Sequence, residues 1–173
     1  MSLFLGRYQP TSRALSYVNA GHLPGVVVRP STSSPPGARQ PDVGAHQPDA
    51  GARQPDPGGR PQADATGEGQ EPGILELTEG GLILGVEPDV HYDEGRTELR
   101  PGDALFLYTD GITEARDPRG DFFGEPRLME VLRGAAGKTA EEVVAAVQSA
   151  LDEFRGDRPL DDDVAMLCLT VTA

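Results

Sequence analysis

The chain has 173 residues, a net charge of −13 and a pI near 4.5, which suits one modest domain. Such acidity argues against nucleic acid or an anionic membrane surface as a partner, since both are polyanions. The single cysteine, Cys168, excludes an internal disulfide, and neither a membrane-span-length apolar window nor a signal-peptide core at Met1–Pro10 is present, so a cytoplasmic protein is expected.

In chain order, Leu3-Phe4-Leu5 and Leu15-Ser16-Tyr17-Val18 read as two strands joined through Gln9-Pro10-Thr11-Ser12. The apolar run starts two residues after Met1 with no lead-in, so a segment is expected to be missing ahead of it. Asn19-Ala20-Gly21-His22 closes the second strand, and Val26–Val28 form a short third. From the residues alone, His22 is a polar loop residue beside Pro24. Residues 30–72 are low-complexity: Gly37–Asp42 recurs as Gly44–Asp49 and again as Gly51–Asp56. Each copy carries a proline and no large apolar side chain, which excludes a coiled coil. With almost nothing to bury, the segment is expected to be disordered, a loop inserted between strands. Without it about 130 residues remain, enough for one core.

Ile74–Leu77 and Leu82–Leu84 resume the strands, and His91–Leu99 alternates weakly, as an edge strand does, with His91 facing solvent. Arg100-Pro101-Gly102-Asp103 has the form of a type II turn. It launches Ala104–Tyr108, a short apolar run that reads as a buried strand and ends in Thr109-Asp110-Gly111. Asp-Gly is a common turn dipeptide, so a turn is the simplest reading of Asp110 by itself. Asp117–Gly120 is a further turn, and Glu125–Arg133 a short helix with Pro126 in its first turn. Thr139 and Glu142 make a capping box for a longer helix. Val143, Val147, Leu151 and Phe154 form its apolar stripe and Gly156 its stop. Gly-Lys-Thr at 137–139 is not a phosphate loop, because the glycine required at Leu132 and the preceding strand are both lacking. Val164–Val171 is apolar on both faces and predicts a central strand covered on both sides. Strands followed by helices argue for an α+β protein with layered sheets.

Two strands thus carry acids at one tip: Asp110 follows the first, and Asp161-Asp162-Asp163 precedes the last. Three adjacent carboxylates repel one another and are equally readable as a solvated run. If the two tips are neighbours, the clustered charge needs a cation, and all-oxygen ligands favour Mg²⁺ or Mn²⁺. No protein nucleophile suggests itself: Cys168 lies inside a strand, and Gly-x-Ser-x-Gly does not occur.

Four segments in order carry a resemblance: Tyr17–Pro24, Leu84-Gly85-Val86, Leu107–Ala115 with Phe123-Gly124 and Arg127-Leu128, and Asp162–Leu167. Together they resemble the C-terminal half of the metal-dependent PPM protein phosphatases, in particular the bacterial SpoIIE-like, RsbU-like serine phosphatases. The resemblance implies an α+β, layered β-sandwich flanked by helices and lacking its N-terminal part. Residues 1–29 would supply the first strands, 30–72 the disordered insertion and 73–173 the C-terminal part. It implies hydrolysis of phosphoserine or phosphothreonine by a metal-bound water in a two-metal Mg²⁺ or Mn²⁺ site. Asp110 and Asp162 would be metal ligands. Asp161 and Asp163 would tune the local charge, Gly111 would allow close backbone approach, and His22 would line the site. The implied partner is a phosphoprotein, in relatives often an anti-sigma-factor antagonist. The family's N-terminal aspartate, which bridges both metals, has no match ahead of Tyr17. Three readings therefore stand: a phosphatase whose first half lies elsewhere, a degenerate domain that binds a phosphoprotein without hydrolysing it, or an unrelated Mg²⁺- or Ca²⁺-binding β-rich module.

Overall fold

The computed structural model describes residues 1–31 and 73–172; the repeats, and the disorder expected of them, lie outside the described residues. The first sheet is built on a hairpin. β1 (Leu3–Gln9) and β2 (Ala14–Ala20) pair antiparallel, with Leu3 opposite Ala20 and Gln9 opposite Ala14. The other edge of β2 takes β5 (Gly80–Gly81) in parallel and β6 (Gly95–Glu98) antiparallel. The second sheet is antiparallel throughout, in the order β4 (Gly73–Leu77), β3 (Gly25–Arg29), β7 (Ala104–Tyr108), β8 (Met166–Thr170). Three helices complete the fold: α1 (Asp110–Thr113), α2 (Gly124–Gly134) and α3 (Ala140–Arg155).

Alternation along the second sheet creates two cores. Val26, Val28, Ala104, Phe106 and Tyr108 point to one side, where Leu128 and Leu132 of α2 and Val143, Val147 and Leu151 of α3 cover them. Val27 and Leu105, one residue out of phase, point to the other side and meet Leu15 and Tyr17 of the first sheet, with Leu77 and Leu99. Period two on the strands and period 3.6 on the helices therefore give an α+β sandwich of two sheets with helices on one outer face. Each fully buried Leu or Val contributes roughly 1.5–3 kcal/mol. The α3 stripe is core, as its spacing predicts. Its start is fixed by the capping box: Thr139 Oγ1 accepts from the Glu142 amide at 3.3 Å, and Glu142 accepts from the Thr139 amide at 2.9 Å.

Two expectations are corrected. Val164–Val171 does not form a central strand covered on both sides. β8 pairs only with β7 among the described residues, and its Leu167 and Leu169 are 55% and 38% exposed. Apolar residues on both faces predict burial only when layers exist on both sides, and among the described residues nothing covers Leu167 and Leu169 fully. Leu82–Leu84 is not a strand either. The pairing falls on Gly80–Gly81, while Leu82 and Ile83 are exposed in the following turn. Glycine, with no side chain, lets β5 approach β2, a cue that an apolar run cannot give.

The turn before β7 takes the expected form. Gly102 has φ of +90° and the Asp103 amide donates to the Arg100 carbonyl at 2.9 Å. Asp103, 2% exposed, accepts from the Arg100 amide at 2.9 Å and pairs with Arg29 Nε at 3.4 Å. Among the described residues no helix is long and apolar enough to cross a membrane.

Candidate functional site

The antiparallel pairing of β7 with β8 sets Tyr108 opposite Met166. The residues after Tyr108 and before Met166 must therefore leave the sheet from the same end. Thr109 locks that end. Its amide donates to the Ala165 carbonyl at 3.0 Å, and its Oγ1 accepts from the Ala165 amide at 2.9 Å and donates to the Asp163 carbonyl at 3.0 Å. Next in the chain, Asp110 opens α1, and Gly111 lies so close to the last strand that a Cβ there would stand 2.4 Å from the Asp163 carbonyl oxygen. Only glycine fits this approach. Instead of a simple turn, the Asp-Gly pair starts a single helical turn, in which the Glu114 amide donates to the Asp110 carbonyl at 2.8 Å.

Two cavities flank this junction. One of about 270 Å³ is lined by Asp110, Thr109 and Tyr108 from the β7 end and by Gly21, His22 and Leu23 from the turn after β2. The other, of about 160 Å³, is lined by Gly111, Glu114 and Arg116 on one side and by Asp161 and Asp162 on the other. So Asp110 shares a cavity with His22, Asp162 shares one with Gly111, and the glycine–Asp163 contact lies between them. Asp110, Asp161, Asp162 and Asp163 are all exposed. Asp162 Oδ1 accepts from the Asp163 amide at 2.7 Å. Asp161 faces arginines, with its Oδ2 3.7 Å from Arg116 Nε and 3.3 Å from Arg158 Nη2. A larger cleft of about 290 Å³ involves Leu5, Arg7, Val18 and Glu94 on the first sheet, among none of the acids at this junction.

His22 is held from both ends of its backbone turn. Its amide donates to Asn19 Oδ1 at 2.8 Å, and its Nδ1 lies 2.8 Å from the Leu23 carbonyl. With Nδ1 as the donor, Nε2 of the ring remains available. Sequence reasoning missed two residues here, Thr109 and Asn19. Both carry short polar side chains directly at a strand end, the signal for a side chain that satisfies backbone groups. Burial, reinforced by Glu125 and Glu76, pushes the Tyr108 phenol up to about 12, so it walls its cavity as a neutral group. Burial, with a contribution from Glu141, likewise pushes the Cys168 thiol up to about 11, which removes it as a thiolate nucleophile.

The oxygen donors at this end suit a hard cation in kind but not in number. Among the described residues, no group of three or more His, Cys, Asp and Glu side chains is gathered to hold a metal ion. These residues alone do not form a metal cage.

The family model for Stage II sporulation protein E (SpoIIE) matches residues 67–172. The chain belongs to the SpoIIE family. This SpoIIE-family chain is 31% identical over 102 residues to Protein IcfG of Synechocystis, a match covering 54% of the chain and 16% of that protein. It is 30% identical over 110 residues to Phosphoserine phosphatase RsbU of Bacillus subtilis, covering 58% of the chain and 32% of RsbU. The matches thus span less than a third of either relative's length. Among solved structures, the RsbU and RsbW domains of a Mycobacterium tuberculosis protein superpose with a TM-score of 0.59 at 20% identity, covering 99% of this chain and 36% of that one. The shared fold is that of PPM-type phosphatase domains, as the resemblance implied. Family membership sets aside the alternative of an unrelated β-rich module.

Proposed function

We propose that this SpoIIE-family chain is part of a Mg²⁺- or Mn²⁺-dependent protein serine/threonine phosphatase acting in the cytoplasm on a regulatory phosphoprotein. An anti-sigma-factor antagonist is the partner class we favour. The observation that carries the reading is the antiparallel β7–β8 junction, which sends Asp110 and Asp162 out of one end of one sheet. In this reading Asp110 and Asp162 each contribute one carboxylate to the metal site, and the completing donors come from outside the described residues. Divalent cations, when bound, supply an acidified water and charge neutralisation for the phosphoryl group. The chain's own residues do the positioning. Thr109 ties the strand ends, Gly111 lets α1 approach the Asp163 backbone, and Asn19 holds the turn that brings His22 beside Asp110. Asp163, beside Asp162, adds to the local negative charge that favours cation binding.

The test is hydrolysis of a phosphoserine peptide in Mn²⁺ by the longest polypeptide that carries this domain. Asp110→Ala and Asp162→Ala are each expected to lower turnover by about 100-fold or more. Full activity in Asp110→Ala would remove this junction from the chemistry. The incomplete donor set favours one second reading, a domain that binds a phosphoprotein without hydrolysing it. That reading predicts phosphopeptide binding with no Mn²⁺-dependent release of phosphate.

A further inference from the structure

Of the three acids before β8, Asp161 is committed to neighbours unlike those of the others. Its contacts to Arg116 at 3.7 Å and Arg158 at 3.3 Å are long, since a charge-assisted contact closes to about 2.7–2.9 Å. The Arg155–Asp152 pair in the same chain does reach 2.8 Å. The Asp161 side chain is also 51% exposed, so the pairing is weakly held and open to exchange.

Arg116 does not depend on it. Arg116 Nη1 donates to the Gly120 carbonyl at 3.1 Å, and its guanidinium lies 4.0 Å over the Phe122 ring. Arg116 and Phe122 also form a backbone bridge. The Arg158 carbonyl accepts from Arg155 Nη1 at 2.8 Å, which ties down its backbone. One anchored guanidinium, Arg116, and a second, Arg158, carried on a fixed backbone therefore meet one loosely held carboxylate, which lines a cavity together with Arg116 and Asp162.

We propose that Arg116 and Arg158 form a clamp for a phosphate monoester, the phosphoseryl or phosphothreonyl side chain of the substrate. Asp161 is the internal anion that occupies the clamp until the phosphate replaces it. A guanidinium fork matches two phosphate oxygens, and a dianion attracts a pair of arginines more strongly than one carboxylate does. Glu114 and Asp162 line the same cavity and oppose a free anion. The clamp therefore favours a phosphate delivered on a polypeptide, which adds contacts of its own, over inorganic phosphate. The proposal takes its ligand class from the phosphatase reading, but its test needs no turnover.

A fluorescent phosphoserine peptide and its unphosphorylated twin are titrated into the full chain in EDTA, with binding read by anisotropy. Asp161→Asn is expected to tighten the phosphopeptide about tenfold and leave the twin unmoved. Asp157→Asn, which removes the same charge from an exposed site, is expected to change binding less than about twofold. Adding Arg116→Gln to Asp161→Asn is expected to abolish the gain. Where thermal melts show that variant unfolded, Arg158→Gln in the same background is read instead. The clamp is overturned if Asp161→Asn binds no tighter than wild type, if Asp157→Asn gains as much, or if the gain survives loss of the arginine. Tightening without hydrolysis in Mn²⁺ by the longest polypeptide that carries the domain would leave the clamp and sink the phosphatase reading. Hydrolysis whose KM is unmoved by Arg116→Gln would do the reverse.

Discussion

On β8, neighbouring residues live in different worlds. Met166 and Cys168 pack against the core that α2 and α3 close, whereas Leu167 and Leu169 point the other way and remain largely open. The second sheet is finished on its helical side and unfinished, at this edge, on its sheet side. Composition is the same on both faces, so what differs is whether a layer stands opposite. Stability should accordingly be concentrated in the helix-covered core. Among the described residues the open β8 edge presents unpaired backbone groups and apolar side chains, with no charged residue among Val164–Val171 to discourage pairing.

The largest effect should come from testing that contrast directly. Phe106→Ala, in the closed core, is expected to cost about 3–5 kcal/mol in urea unfolding. Leu167→Ala is expected to cost about 0.5 kcal/mol or less. Similar losses for the two would mean that β8 is covered in solution and the contrast is false. Next, Gly111→Val forces side-chain atoms into the Asp163 carbonyl and should cost about 1–3 kcal/mol, with hydrogen exchange rising at both Ala165 and Thr109. Exchange that rises at one strand end alone would uncouple the two acidic tips. Thr109→Val, which removes the hydroxyl bridge but keeps the shape, should cost about 1 kcal/mol by the same unfolding assay.

An effect of similar size concerns the cap of α3, which belongs to the closed half. Thr139→Ala should lower stability by about 1 kcal/mol. Hydrogen bonds from the Thr139 backbone and side chain hold the Glu142 carboxyl below its ordinary 4.5. A depressed folded value means that this contribution is complete above pH 4.5 and is lost as the pH falls through the lower folded value. Thermal melts of wild type and Glu142→Gln should therefore differ above pH 4.5 and converge on its acid side, and a constant gap would deny the carboxylate's charge its part in the cap.

Much of the closed half was legible in the sequence. The spacing of Val143, Val147 and Leu151, the Thr139–Glu142 box and the Arg100–Asp103 turn each depend on neighbours within a few residues, and local rules govern them. The acidic junction was legible only as a conditional, since it required β7 and β8 to be adjacent, a pairing separated by three helices. What failed had a common cause. Leu167, Leu169 and Leu82–Leu84 are apolar, and hydropathy cannot say whether a partner layer is present. Thr109 and Asn19 were overlooked because their work is done on backbone groups, which a search for reactive side chains passes over.

The joint between β3 and β4 has a practical corollary. Arg29 stands opposite Gly73 in the ladder, Arg29 is stapled to Asp103, and Pro30 packs at 3.3 Å from where a Cβ on Gly102 would sit. The two chain ends at this joint are thus already a strand spacing apart, and the β3 end is moored to the turn before β7. Replacing residues 31–72 by a hairpin loop of about two to five residues should leave both sheets intact. The same position offers a site for grafting a tag or reporter without disturbing the acids at the far end of the sheet.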